Sequence, residues 1–169
     1  MFFDAFPNLG YKIDDKIVST KDIFRRVSPL KTFLDNDAFL EHYRISAGER
    51  PEDVAFALYK DPTLHWTILL TNNIIDPYNE WYYTPDSIQK LATQRYGAGN
   101  EQQIHHYCDN EDREYIVDWD AAKLANGDII AVTNIEYEEQ ENDKRQLVKV
   151  IQPQYIGDFI NEFKRLIIK

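Results

Sequence analysis

The chain has 169 residues, of which 43% are hydrophobic and 14% aromatic, and its formal net charge is −10. A chain of this length can bury one good core or two small ones, so we expect one compact domain with appendages. The acidic balance disfavours DNA or RNA binding, because phosphate contacts require positive charge. One cysteine, Cys108, permits no internal disulfide, and no apolar run approaches the ~20 residues of a membrane span. We therefore expect a protein made in cytoplasm, or assembled there, without nucleic-acid or membrane partners.

In residues 1–40 the apolar residues follow a less regular pattern than in the rest of the chain. Phe2, Phe3 and Phe6 are apolar, but Pro7 interrupts them and they hold neither a helical nor a strand period for long. We predict an N-terminal arm over this segment, with two alternatives of about equal weight. The arm either folds back on its own domain, or it is an aromatic-rich anchor that orders only against a partner.

The best-patterned stretch is YRISAGERPEDVAFALY, residues 43–59. The alternation in HYRIS predicts a half-buried strand, and Ala47-Gly48 allows a turn. Pro51 suits the first position of a helix, and the acids after it favour the positive end of the helix dipole. The helix should stop near Lys60, because Asp61-Pro62 opposes its continuation.

The same pattern repeats in the next segment. Asp61 and Pro62 can start a second short helix, which carries Trp66 and ends at an Asn-Asn pair. Asp76-Pro77 predicts a turn, followed by a returning strand around Trp81–Tyr83. A further helix should run from Pro85 to a stop at Gly97.

The remaining segments are predicted with alternatives. IHHYCD and EYIVDW flank residues 110–113 and predict a small hairpin, and GDIIAV predicts a further strand. TNIEYEEQENDKRQ predicts a mostly solvated helix, with an acidic hairpin as the alternative, and LVKVIQ predicts a strand. PQYIGDFINEFKRLIIK predicts an amphipathic C-terminal helix whose stripe includes Phe159 and Phe163; this stripe either grips neighbours or packs on its own hairpin.

Catalytic and metal-binding patterns are sparse. The one local ligand cluster is His105, His106, Cys108 and Asp109, but successive residues of a regular strand point to opposite faces, so both imidazoles should not reach one ion. The serines lie in no strand–turn–helix elbow, and no phosphate-binding loop is present. We expect no metal, no cofactor and no enzymatic activity; an acidic glycosidase is the lowest-ranked hypothesis.

Aromatic residues crowd the segment after the second predicted helix. Trp66, Tyr78, Trp81, Tyr82 and Tyr83 fall within a short span, and Trp and Tyr are the residues that anchor interfaces. Any single one of them is more often a core residue. Together with the arm and the C-terminal helix, the group favours a binding or assembly role.

Two resemblances meet on this region. YRI, AGE, PEDVAFALY and WTILLTNN, read as strand, turn, helix and helix, resemble the LysM module. That resemblance implies the alternative function of a carbohydrate-binding module that holds peptidoglycan. The glycine-led return strand of LysM modules is replaced here by DPYNEWYY.

The longer resemblance covers nearly the whole chain. DIFRR, the block from residue 43 to Trp81, and the acidic segment that runs into LVKVIQPQYIGDFINEF are similar to the baseplate wedge protein 53 family of T4-type contractile-tailed phages. The specific marks are RPE at 50–52, the tyrosine followed by an acid and a proline at 59–62, the Asn-Asn pair, and DPY followed by Trp81.

This resemblance implies a structural component of the virion's tail baseplate, without catalysis and assembled in the host cytoplasm. It implies that the chain joins neighbouring wedges around the central hub, in multiple copies of a sixfold ring, and contacts other wedge subunits and the proteins at the base of the tail tube and sheath. We expect an α+β fold with a small LysM-like strand–helix–helix–strand core (41–84), preceded by the arm (1–40) and followed by a helix, a β-hairpin and a C-terminal amphipathic helix (85–169). The residues that we expect to define the fold or to meet partners are Phe2, Phe3, Phe6, Phe24, Arg50, Pro51, Trp66, Asp76, Pro77, Tyr78, Trp81, Phe159 and Phe163.

Overall fold

The structure is a computed structural model that describes residues 2–25, 31–34 and 36–168. The strands of the described residues are β1 (Asn8–Ile13), β2 (Lys16–Lys21), β3 (Leu40–Arg44), β4 (Ile104–Asp109), β5 (Ile116–Val117), β6 (Ile129–Thr133) and β7 (Leu147–Ile151). The α-helices are α1 (Lys31–Leu34), α2 (Pro51–Tyr59), α3 (His65–Thr71), α4 (Pro77–Glu80), α5 (Pro85–Tyr96), α6 (Ala121–Asn126), α7 (Asn134–Gln146) and α8 (Ile156–Ile168). Single 3₁₀ turns lie at Phe2–Ala5, Pro62–Leu64 and Pro153–Tyr155.

The strands form three small antiparallel sheets. β1 pairs with β2, β3 pairs with β7, and β4 lies between β5 and β6. Helices occupy much of the rest of the chain, so the predicted α+β class is confirmed. The chain divides into two compact units. The first unit comprises Met1–Trp81 and Leu147–Lys169, and the second comprises Tyr82–Gln146.

The core of the first unit is organised around the C-terminal helix. The apolar stripe of α8 is confirmed, and its inward residues Phe159, Phe163 and Ile167 are buried. They pack with Trp66 of α3 and with Ile151 at the end of β7. The stripe therefore packs within its own unit against α3 and β7, whereas the prediction for packing inside the chain had a hairpin as its partner.

The N-terminal segment folds back onto the same core. Phe6 is buried in it, and Phe2 packs against the cluster. The Lys21 ammonium donates to the carbonyl oxygen of Phe6 at 2.8 Å, and the N–H of Asp22 donates to that of Pro7 at 2.9 Å. These bonds hold the base of the β1–β2 hairpin beside the 3₁₀ turn at Phe2–Ala5. The N-terminal segment therefore has the first of its two predicted alternatives, in which the arm folds back on its own domain.

The strand partner of β3 differs from the prediction. The returning strand expected around Trp81–Tyr83 is wrong, because these residues have no strand conformation. The partner is β7, in a register that places Tyr43 opposite Val148. Val148 and Val150 alternate along β7 and are both buried. Their side chains form the apolar face that the prediction assigned to a strand around Trp81–Tyr83.

The predicted helix ends are confirmed where a residue stops the helix locally. Lys60, at φ 59°, ends α2 in the left-handed region just before Asp61-Pro62. Gly97, at φ 89°, ends α5. The second helix begins as the 3₁₀ turn at Pro62–Leu64 and continues as α3, with the Asp61 carboxylate accepting from the N–H of Thr63 at 2.9 Å.

The second unit packs two helices beside a three-stranded sheet. Ile88 and Ala92 of α5 contact Ile135 of α7, and all three are buried. The acidic segment is thus a helix, and the alternative of an acidic hairpin is wrong. The predicted hairpin and the further strand are confirmed as β4–β5 and β6. The β4–β6 register shifts between Ile104 and His106, which marks a β-bulge.

Candidate interaction surfaces

The turn between β3 and α2 is held by one carboxylate. Glu49 accepts from the hydroxyl of Tyr43 at 2.7 Å and from the N–H of Ser46 at 2.9 Å. Burial and this hydrogen bond raise the pKa of Tyr43 to about 12, so the phenol stays a donor at neutral pH. Asp53 accepts from the N–H of Arg50 at 3.0 Å, and Pro51 takes the first helical position. Arg50 and Pro51 of the RPE motif therefore fix the start of α2.

The DPYNEW segment fastens the chain back onto that turn. Asp76 caps α4 by accepting from the N–H of Tyr78 at 3.0 Å, with Pro77 at the first helical position. Glu80 accepts from the N–H of Ile75 at 2.7 Å and so closes the same loop. Trp81 is buried, and its indole N–H donates to the carbonyl oxygen of Glu49 at 2.8 Å. The motif thus acts as a local clamp within the first unit.

Asn72, the first residue of the Asn-Asn pair, has a structural function that the sequence did not indicate. The amide of Asn72 donates to the carbonyl oxygen of Lys149 at 2.7 Å, and its oxygen accepts from the N–H of the same residue at 2.8 Å. The same amide also donates to the carbonyl oxygen of Ile68 at 2.8 Å. One side chain therefore pairs with β7 as a strand residue would and joins it to the end of α3.

The predicted aromatic residues separate into buried and exposed groups. Trp66 packs against Phe2 and Phe163, with ring centroid distances of 5.3 and 4.6 Å, and the Phe159 ring lies 6.3 Å away. Together with Phe6, these residues fill the core of the first unit. Such ring pairs stabilise a fold beyond their buried area.

Three other predicted aromatic residues face solvent. Phe24 is 88% exposed and Tyr78 is 87% exposed, and half of Phe3 is exposed. Isolated exposed aromatics are common, but side chains this open contribute little to the fold that carries them. Phe24 lies three residues after the end of β2 in the chain.

The hairpin itself presents the largest exposed apolar group of the N-terminal segment. Leu9, Tyr11, Ile13, Ile17 and Val18 are between 46 and 78% exposed. Sequence reasoning missed this hairpin because Gly10 and the short length of each strand obscured the alternation. The available signal was the Asp14-Asp15 pair between two alternating segments, since Asp14 adopts φ 54° in a two-residue turn.

A cavity of about 520 Å³ also lies in the first unit. Its lining includes the aromatic residues Phe2, Trp66 and Phe163 and the charged residues Asp61 and Lys164. The cavity is therefore lined by both apolar and charged side chains.

The second unit contains a buried carboxylate. The side chain of Glu138 is 1% exposed and accepts two hydrogen bonds of 2.8 Å from Arg95 and one of 3.0 Å from the hydroxyl of Tyr96. The hydrogen bonds to Glu138 raise the pKa of Arg95, while burial and the same carboxylate raise that of Tyr96 to about 12. These partners allow the ionised carboxylate to remain inside the unit and tie α7 to α5.

The histidine cluster departs from the geometry expected of a regular strand. His105 and His106 approach each other, with their Nδ1 atoms 2.8 Å apart, because the bulge in β4 turns successive side chains together. Tyr137 stacks on His105 at a centroid distance of 4.0 Å. Burial and the neighbouring imidazole lower the pKa of His106, and burial raises that of the Cys108 thiol. Among the described residues no group of three or more potential metal ligands occurs.

The fold and these surfaces define a small α+β protein with a filled aromatic core and an exposed apolar hairpin. The sequence pattern of one protein family, described as Base plate wedge protein 53, matches residues 1–123. The chain therefore belongs to the baseplate wedge protein 53 family. It is also similar to baseplate wedge protein gp53 of Enterobacteria phage T4, with 29% identity over 146 residues that cover 77% of this chain and 74% of the T4 protein.

Family membership identifies the biological setting. The chain is a structural protein of the phage tail baseplate, and it is located in the virion. As a wedge protein it interacts with other baseplate components. None of the helices described here is long and apolar enough to cross a membrane.

Proposed function

We propose that the chain joins neighbouring baseplate wedges around the central hub. In this function it contacts other wedge subunits and the proteins at the base of the tail tube and sheath, and its copies form a sixfold ring. The observation that carries the proposal is the family match over residues 1–123. We also propose that this function involves no catalysis.

The distribution of apolar side chains supports a joining function. The aromatic residues of the first unit already fill its core, so the exposed apolar groups of the hairpin and Phe24 are available for other proteins. These groups lie within the matched region of the chain. Contacts of this kind stabilise an assembly only when a partner covers them, because only then is their apolar area removed from water.

The experiment is reconstitution of the baseplate from wedges prepared without this chain. We expect such wedges to sediment as single sectors, and addition of the purified chain to convert them into closed rings visible by electron microscopy. Heat-unfolded chain is the control and should leave the sectors separate. Rings that close equally well without the chain would refute the joining function.

We further propose that β3, α2, α3 and β7 form the LysM-like core. The support is the order strand, helix, helix and strand, with β3 antiparallel to β7 and Tyr59 of α2 donating to the carbonyl oxygen of Ile151 at 2.8 Å. An experimental structure in which this strand pair does not pack on the two helices would contradict the assignment. We expect no saturable binding to insoluble peptidoglycan in a pull-down assay.

A further inference from the structure

One asparagine of the chain is followed by glycine. This pair, Asn126-Gly127, lies where α6 ends, and Asp128 alone separates it from β6. Asparagine is a thermolabile residue, because the backbone nitrogen of the next residue can attack its side-chain amide carbon. Glycine obstructs this attack least, since it has no side chain and the widest choice of backbone conformations. Among the asparagines of the sequence, Asn126 is therefore the one most susceptible to this reaction.

The structure leaves both residues of the pair accessible. All six residues of α6 are exposed, and so is Gly127. Apart from its chain neighbours, no described atom lies within 4 Å of the position that a Cβ on Gly127 would occupy. The side-chain amide of Asn126 forms no hydrogen bond with any residue that the structure describes. The amide carbon is therefore open both to solvent and to the neighbouring backbone.

One hydrogen bond restrains the attacking nitrogen. The N–H of Gly127 donates to the carbonyl oxygen of Leu124 at 3.2 Å, in a left-handed cap with φ 80° and ψ 15°. The nitrogen must leave this bond before it can approach the Asn126 side chain. Opening the last turn of α6 exposes no buried side chain of that helix, because none of its residues is buried. Short helices and helix ends open at low free-energy cost, so the cap delays the reaction without preventing it.

We propose that Asn126 deamidates spontaneously through a succinimide formed with the backbone nitrogen of Gly127. A bond forms between Cγ of Asn126 and that nitrogen, and the Cγ–Nδ2 bond breaks. The proton of the Gly127 N–H leaves with the amide nitrogen as ammonia. Water then opens the ring at one of its two carbonyl carbons. Opening at Cγ gives aspartate, and opening at the backbone carbonyl carbon of residue 126 gives isoaspartate, whose main chain runs through the former side chain.

The reaction changes the backbone at the start of β6. Either product adds a negative charge two residues before Asp128. Isoaspartate also lengthens the main chain by one atom just before Asp128, whose carbonyl oxygen accepts from the N–H of Asn110 at 3.0 Å. The next residue, Ile129, is buried and begins β6. Each event therefore loosens the connection between α6 and β6. In the virion, where no new synthesis replaces the chain, the modified form accumulates with age.

The first test follows the purified chain during prolonged incubation in warm, mildly alkaline buffer. Peptide mapping by mass spectrometry measures deamidation at each asparagine, and an isoaspartate methyltransferase detects isoaspartate. We expect Asn126 to convert at least about 10-fold faster than Asn110, which is exposed but precedes glutamate; this ratio corresponds to a barrier difference of about 1.4 kcal/mol. Both aspartate and isoaspartate should form. Equal rates at the two positions, or aspartate without isoaspartate, would overturn the proposal.

The second test uses variants that separate ring formation from opening of the cap. Asn126→Gln keeps the amide but lengthens the side chain, so the five-membered ring cannot form and residue 126 should stay unmodified. Gly127→Ala keeps Asn126 and places a methyl group beside the attacking nitrogen. Because alanine is strained at φ 80°, this cap opens more easily, and opening alone would make the reaction faster. We expect the reaction of Gly127→Ala to be about 10-fold slower, and a rate equal to or above that of the unaltered chain would overturn the succinimide route.

The third test concerns the consequences of the modification. In purified tails, isoaspartate at residue 126 should increase with storage time, and a constant level would overturn the accumulation in the virion. The thermal midpoint of the isolated chain should fall as it ages, whereas that of equally aged Asn126→Gln should stay constant. Equal midpoints for the fresh and the aged unaltered chain would overturn the effect on β6.

Discussion

Asn72 offers a direct test of how β7 is held in the first unit. Its side-chain amide donates to the carbonyl oxygens of Ile68 and Lys149, and its oxygen accepts from the N–H of Lys149. Asn72→Asp keeps the size and shape of the side chain and the accepting oxygen. The variant loses both donated hydrogen bonds and places a carboxylate against two carbonyl oxygens.

The expected cost follows from these lost bonds. Each hydrogen bond contributes about 0.5–1.5 kcal/mol net, and a carbonyl left facing another acceptor adds a desolvation penalty. We therefore expect Asn72→Asp to lower the free energy of unfolding of the first unit by about 2–3 kcal/mol. The two carbonyls disfavour the charged form, so the introduced carboxyl group should have a raised pKa. The loss should shrink as the pH falls through that pKa, because the protonated group can donate again.

Urea unfolding followed by tryptophan fluorescence measures this change, because Trp66 and Trp81 are both buried in the first unit. The midpoint should fall by roughly 1 M urea. The matched control is Asn73→Asp, which adds the same charge one residue later at an exposed position where φ is 54°, a conformation that Asp tolerates. Equal free energies of unfolding for the two variants, within about 0.5 kcal/mol, would refute the strand-pairing function of Asn72.

Three further predictions concern other parts of the two units. Glu138→Gln, which removes the charge from the buried carboxylate, should lower the free energy of unfolding of the second unit by about 2 kcal/mol in chemical denaturation, whereas the exposed Glu139→Gln should change it by less than about 0.5 kcal/mol. The pKa of His106 is lowered in the fold, so the native state binds fewer protons than the unfolded state. The second unit should therefore lose stability as the pH falls through the unfolded-state pKa of about 6.5. This loss should level off below the pKa of the folded state. Thermal unfolding between pH 5 and 8 checks this, and H106Q should show a smaller dependence; an equal one would contradict it. Trp81→Phe should cost the first unit about 1 kcal/mol in urea unfolding through the lost hydrogen bond to Glu49, and the exposed Trp119→Phe is its control; equal losses would argue against the clamp.

The features that sequence could predict are those fixed by neighbouring residues. Pro51 and the acids after it are sufficient to start α2, and Gly97 is sufficient to end α5, because capping depends on residues within one turn. The periodic stripe of α8 is equally local. The marks of the family are of the same kind, since the RPE and DPY-W motifs build caps and a clamp inside one unit.

The features that sequence could not predict depend on distant pairing or on irregular backbone. The pairing of Tyr43 with Val148 joins segments separated by most of the chain, and no pattern near Trp81 indicates that the strand partner lies elsewhere. The approach of His105 to His106 depends on a bulge, which breaks the alternation on which the prediction relied. Asn72 looked like a helix end, and its pairing with Lys149 follows only once β7 is in place.

The N-terminal segment shows why composition alone could not decide between a tail and an anchor. Within one short stretch, Phe6 is a core residue and Tyr11 is open to solvent, so the segment contains both a fixed base and an exposed hairpin. Deletion of residues 1–10 would remove core packing together with the first half of β1, and a loss of assembly would then report on folding as much as on docking. Substitutions confined to one face of the hairpin separate these two effects. The core aromatic residues hold the base of the hairpin in place, which limits the entropy that the hairpin would lose if a partner covered Tyr11 and the other exposed apolar side chains.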